Sequence, residues 1–189
     1  MNTTHSSLKV RYITRVGILS ALAFAFMILE FPIIFFFPEY LKIDFSDAIA
    51  IIGGIALGPM AAVFIELIKN LLNLILHSTT GGVGELANFL VGVGLVLPIA
   101  MIYRKISNNQ GLILGMIVGT ITMVIVASLA NLFVLLPLWG IPSAERFNMV
   151  VSLLVPFNII KAILVSIFSF IGIKATKGLM KYIKLPKIS

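Results

Sequence analysis

The chain is 189 residues long, 60% apolar and only 11% charged, with 14 Lys and Arg, 7 Asp and Glu and no cysteine. A soluble domain is near half apolar and a quarter charged, so this chain cannot cover itself with polar surface and takes lipid as its solvent. The length leaves no room for an appended soluble enzyme domain, and the missing thiols exclude disulfides, thiolate metal sites and cysteine nucleophiles.

A spanning helix needs roughly 20 mostly apolar residues. Ile13–Phe37 supplies the first span, too long for a cleavable signal and followed by nothing soluble. The run Phe45–Leu76 is too long for one span and breaks once, at Gly58-Pro59. A proline after a glycine favours a turn, so two short helices are expected, Phe45–Leu57 and Met60–Leu76. Leu86–Tyr103, Leu112–Leu136 and Met149–Ile173 supply the remaining three. The expected fold is an all-α integral membrane protein, a single domain over residues 1–189. It forms one bundle of six transmembrane helices with a basic tail over 174–189.

Charge gives the orientation. The amino-terminal arm carries Lys9, Arg11 and Arg15, and the tail carries Lys174, Lys177, Lys181, Lys184 and Lys187. Positive loops stay in the cytoplasm, so both termini are expected inside, which demands an even number of spans. The +7 net charge is therefore a membrane-orientation signal, and no nucleic-acid partner is expected. The tail lysines suit anionic headgroups. The expected location is the cell membrane, multi-pass.

Polar side chains inside the bilayer each need a reason. Asn158 and Lys161 are three apart on the sixth helix and share a face, and Asn131 lies within two turns of the outer end of the fifth. Glu85 and Asn88 open the fourth. Glu66, Asn70, Asn73 and His77 form a stripe on the third, flanked by Lys69. These groups gather in the outer halves of their helices. An outward-facing polar pocket explains that bias for Asn131, Asn158 and Lys161, against the alternative of interhelical hydrogen bonding. For the third-helix stripe the structural reading is preferred, with Glu66 paired locally to Lys69 or Asn70. The first outer segment, Phe35 to Phe45, mixes aromatics with charges and reads either as an aromatic belt or as a lid. The segment His77–Gly84 brings hydroxyls and glycines to the same mouth. Gly111, Gly115 and Gly119 suit packing within the bundle, whereas Ala21 and Ala25 suit either internal packing or a partner.

There is no phosphate-binding P-loop, no H-E-x-x-H and no G-x-S-x-G. The seven acids look scattered, so no catalytic residues, metal site or resident cofactor are expected. A membrane enzyme would want paired acids or histidines, and a channel would want polar residues through its full depth. A small bundle with an outer pocket and no energy source suggests a capture subunit driven by a partner.

Four patterns then carry a resemblance: Ala21-Leu22-Ala23-Phe24-Ala25, Lys42-Ile43-Asp44-Phe45-Ser46-Asp47, Gly84-Glu85-Leu86-Ala87-Asn88-Phe89, and Pro156-Phe157-Asn158 through Lys161. In this order and spacing the chain resembles the riboflavin-specific substrate-binding (S) components of energy-coupling factor (ECF) transporters, from about Tyr12 to Lys174. The resemblance implies a vitamin-uptake subunit that captures riboflavin, as cargo, in an outward-facing pocket. It implies a complex with a transmembrane T component, docked at Ala21 and Ala25, and two ATPases. It places the vitamin beneath the first loop, near Leu41 and Lys42, with Asn131, Asn158 and Lys161 donating hydrogen bonds to it. Asn88 and Thr79 are further ligand contacts, and Glu85 either joins them or caps the fourth helix. A flat, neutral molecule edged with carbonyls and hydroxyls suits Asn and Lys, and one buried lysine without an arginine cluster does not suit a phosphate pair. The alternatives are an S component for another vitamin and a self-sufficient secondary carrier.

Overall fold

The computed structural model describes residues 3–175, with side chains described from residue 8. The tail lysines Lys177, Lys181, Lys184 and Lys187 lie outside the described residues. Six helices form a single bundle: α1 (Thr3–Ile28), α2 (Ser46–Leu57), α3 (Pro59–Leu76), α4 (Val83–Lys105), α5 (Asn109–Leu138) and α6 (Ser143–Ala175). Five of them have a stretch long and apolar enough to cross a membrane, and α2 is a shorter apolar helix of 12 residues. Charge is scarce along all of them.

The first helix ends nine residues earlier than hydropathy suggests, at Ile28 rather than Phe37. Pro32 lacks an amide hydrogen and disfavours helical backbone at Phe31, so the chain turns out of the helix although it stays apolar. It forms a short antiparallel ribbon instead, β1 (Phe31–Pro32) with β2 (Lys42–Ile43), pairing Phe31 with Ile43. Phe37 packs into the bundle edge-on to Phe157, ring centroids 5.3 Å apart, whereas Phe35 and Phe36 point outward, 89% and 79% exposed. The last three helices each begin a few residues before their apolar runs do.

Gly58 makes the α2–α3 turn at φ 107°, backbone that an L side chain rarely adopts, and Pro59 opens α3 where its missing amide hydrogen costs nothing. The most extensive helix pairing in the bundle is α4 with α5. A Cβ on Gly119 would lie 2.7 Å from the Leu95 carbonyl oxygen and one on Gly94 3.2 Å from the Met123 Cα, so small residues set that spacing. The core runs through Ala48, Ile51, Ile65, Leu95, Ile99, Met123 and Val165.

Two helices change pitch. Asn131–Leu135 of α5 and Val150–Leu154 of α6 are π-helical. Each is followed by a proline, Pro137 and Pro156. A helical proline ring collides with the carbonyl four residues back, here Phe133 and Ser152, the central residues of the two π segments. Widening the turn relieves both collisions, and such bulges recur at functional sites.

Candidate functional site

A cavity of about 300 Å³ opens at one end of the bundle. Five of the six helices contribute the end that lies there: Met27 from the last turn of α1, Asn73 from the end of α3, Asn88 and Val91 from the start of α4, Asn131 and Trp139 from the end of α5, Asn158 and Lys161 from α6. The linker Tyr40–Asp44 closes it on the side of the first loop. Tyr40 meets Trp139 edge-on across the mouth, centroids 6.2 Å apart. Burial pushes the Tyr40 phenol up from its ordinary value, so it stays a neutral donor and acceptor.

All eight residues singled out for ligand contact line this one space: Leu41, Lys42, Thr79, Glu85, Asn88, Asn131, Asn158 and Lys161. Their chemistry differs from the simple donor set that the sequence suggests. Asn131 Nδ2 donates to the Ala127 carbonyl at 2.8 Å, and Asn158 Nδ2 to the Leu154 carbonyl at 2.7 Å. One amide hydrogen on each is spent within its helix, which leaves a carbonyl oxygen and the second hydrogen for another partner. Asn88 has a buried oxygen with no hydrogen-bond partner. Glu85 holds the segment between α3 and α4 in place, its two oxygens accepting from Asn73 (3.0 Å) and Thr80 (2.8 Å). Lys42 is spoken for at the rim, 2.6 Å from Glu30.

Beneath the cavity lies an ion network. Lys161 faces Asp44 at 3.3 Å and Asp47 at 3.7 Å, and Lys69 is bonded to Asp47, to Ser46 at 2.6 Å and to Glu66 at 2.9 Å. Lys69, Asp47 and Glu66 have no exposed surface at all. Gly92 of α4 leaves room for the Glu66 carboxylate, which a Cβ there would strike. Asp44, in the link ahead of α2, has its carboxyl lowered to about 2: burial opposes the charge, but the ammonium groups of Lys161 and Lys69 and hydrogen bonds from Ser46 outweigh it. Three of the acids that look scattered in sequence, Asp44, Asp47 and Glu66, are thus gathered around two lysines. Buried charges must be paired, and Lys69 and Lys161 needed counter-ions from somewhere. That demand, with Asp44 and Asp47 three apart at the head of α2, is the signal in the sequence that points to them. The Glu66–Lys69 pair is the local one anticipated.

Against known proteins, the model of the ECF transporter substrate-specific component matches residues 11–171. The chain belongs to the substrate-specific components of ECF transporters. This S component is 37% identical over 177 residues to "Riboflavin transporter FmnP" of Bacillus subtilis, covering 88% of this chain and 93% of that protein. It is 42% identical over 158 residues to "Riboflavin transporter RibU" of Staphylococcus aureus, covering 80% and 82%. Its fold matches a solved S component of a bacterial ECF transporter with a TM-score of 0.81 and 38% identity, over 92% of this chain and 99% of that one. The relatives are transporters, not enzymes, and the S component is a multi-pass protein of the cell membrane. Among the described residues, no group of His, Cys, Asp and Glu is arranged to hold a metal ion.

Ala21 and Ala25 are exposed, one turn apart on the outer face of α1, with Gly17 open one turn before them. Internal packing, one of the two readings open from sequence, is therefore not their use. Sequence reasoning named Tyr40, Asn73, Thr80 and Asp44 only within longer segments or patterns and did not reach Trp139; all five line the cavity. Tyr40 lies in the first loop, where its place at the cavity favours a lid over a belt, whereas a lone Trp139 beside a bilayer reads from sequence as an interface anchor.

Proposed function

We propose that this S component captures riboflavin in the cavity at the outer end of the bundle and delivers it inward when coupled to a T component and two ATPases. The observation that carries the reading is the wall of the cavity. It combines aromatic and aliphatic surfaces (Tyr40, Leu41, Trp139, Leu154 and Phe157) with a few neutral amides and two lysines, Lys42 and Lys161, each paired with a carboxylate. Such a wall suits a flat, uncharged molecule bearing ring carbonyls and hydroxyls. Relatives that carry riboflavin in their names, at 37% and 42% identity, support this choice over another vitamin. A self-sufficient carrier is not favoured, because the chain belongs to a family of substrate-specific components.

Asn131, Asn158, Lys161, Asn88 and Thr79 are the proposed polar contacts. Leu41, with Tyr40, covers the ligand, and Lys42 and Glu85 hold the rim. Ala21 and Ala25 are the proposed docking face for the T component, since small residues let a partner helix approach closely. Both termini lie in the cytoplasm in this reading, as the basic residues at each end require.

The test is fluorescence titration of riboflavin with the purified protein. Riboflavin should be quenched on saturable binding, and Lys161→Met and Asn158→Ala should each weaken binding roughly five- to 150-fold, the cost of stranding a polar group in a dry site. Phe133→Ala, on the outer surface of α5, is the control and should bind as the parent does. Native-like affinity in both site variants would return these residues to the role of helix-to-helix contacts.

A further inference from the structure

The position of the buried cavity lysine, Lys161, is set by a residue from a different part of the chain. Asp44 precedes Lys161 by 117 residues, yet its Oδ2 lies 3.3 Å from the Lys161 Nζ. Its other oxygen, Oδ1, accepts from the Ser46 amide at 2.9 Å and from the Ser46 hydroxyl. One carboxylate oxygen is thus clamped to the head of α2, and the other is aimed at the lysine. Asp47, the second acid nearby, is committed to Lys69 through Oδ1 and stands 3.7 Å from Lys161 through Oδ2. An ammonium has three hydrogens, and the bond to Asp44 leaves two of them for other partners. The lysine stem is long and flexible, so an unanchored ammonium would sample many positions.

We propose that Asp44 is a positioning residue for substrate capture: clamped by Ser46, it holds the Lys161 ammonium at the cavity wall as a charge-balanced hydrogen-bond donor. The inference rests on the reading of the cavity as the riboflavin site and extends it. Because the charge is already met by carboxylate, the ligand group best suited to Lys161 is a neutral acceptor such as a ring carbonyl, rather than a carboxylate or phosphate. Asp44 also follows directly on β2 (Lys42–Ile43), so the segment that covers the cavity and the group that sets its floor are one piece of chain. The cover and the donor are thereby fixed relative to each other.

A double-mutant cycle tests this, with riboflavin titrated into the full-length protein and its Asp44→Asn, Lys161→Met and Asp44→Asn/Lys161→Met variants. Acting through the lysine, Asp44 should matter only when the lysine is present. Asp44→Asn should weaken binding at least about fivefold in the parent and less than about twofold in the Lys161→Met background. If Asp44→Asn alone proves too unstable to assay, the double variant still decides, since it removes both charges together: its affinity should equal that of Lys161→Met. A further loss in the double variant would show Asp44 touching the ligand directly, and parent-like binding by Asp44→Asn would show that Lys161 needs no anchor. Either result overturns the proposal while leaving the riboflavin reading intact. A parent protein that fails to bind riboflavin removes that reading, and this one with it.

Discussion

Lys69 has no exposed atom and three partners that carry or share charge, so its removal is a test of what holds α2 against α3. Lys69→Met leaves the carboxylates of Asp47 and Glu66 in the core without their nearest counter-charge. Breaking a buried pair by removing one side costs about 3–5 kcal/mol. The expected outcome is a large fall in melting temperature of the detergent-solubilised protein, partly recovered in Lys69→Met/Asp47→Asn because one stranded charge is then gone. No recovery would mean that packing, not charge balance, is the source of the loss. Glu85 plays a different part at the mouth. Glu85→Ala frees Asn73 and Thr80 and releases the segment between α3 and α4, so it should increase hydrogen exchange across residues 77–84 more than it lowers the melting temperature.

At the level of whole elements, α4 and α5 meet through glycines. Gly119→Leu puts a branched side chain where a Cβ alone would be 2.7 Å from a carbonyl oxygen, so the helices must part. A loss of about 1–3 kcal/mol is expected in a thermal melt, with Leu114→Ala on the exposed side of α5 as a near-neutral control. How much of each element could be foreseen depended on whether its cause was local. The Gly58-Pro59 turn is written in two adjacent residues and falls where expected. The end of α1 is not, because Phe31–Phe37 is as apolar as the helix before it and hydropathy does not separate a span from a folded cover. The amides and Lys161 stood out since polar groups in lipid are rare. Asp44 did not, because its role exists only once a residue 117 positions away has been brought beside it. The π segments were likewise unreadable: prolines predict strain, but whether a helix kinks or widens is settled by its neighbours.

Taken as a whole, the molecule is a receptor without a motor. Expressed alone it should bind riboflavin but not concentrate it across a membrane, while Ala21→Leu/Ala25→Leu should keep binding and lose uptake in cells with the full transporter. Normal uptake by that variant would place docking elsewhere. Orientation can be read with an impermeant thiol reagent on intact cells. Ser143→Cys, at the start of α6, should label from outside and Asn108→Cys, between α4 and α5, should not; the reverse would invert the bundle. The chain also contains a single tryptophan, and it is Trp139, at the lip of the cavity beside Tyr40. All the indole emission of the protein therefore originates at the place where cargo enters. A flavin absorbs in the range where indole emits, so each molecule captured should dim that light by energy transfer. Occupancy can be followed in real time, without a label, in a protein that carries its own gauge at the door.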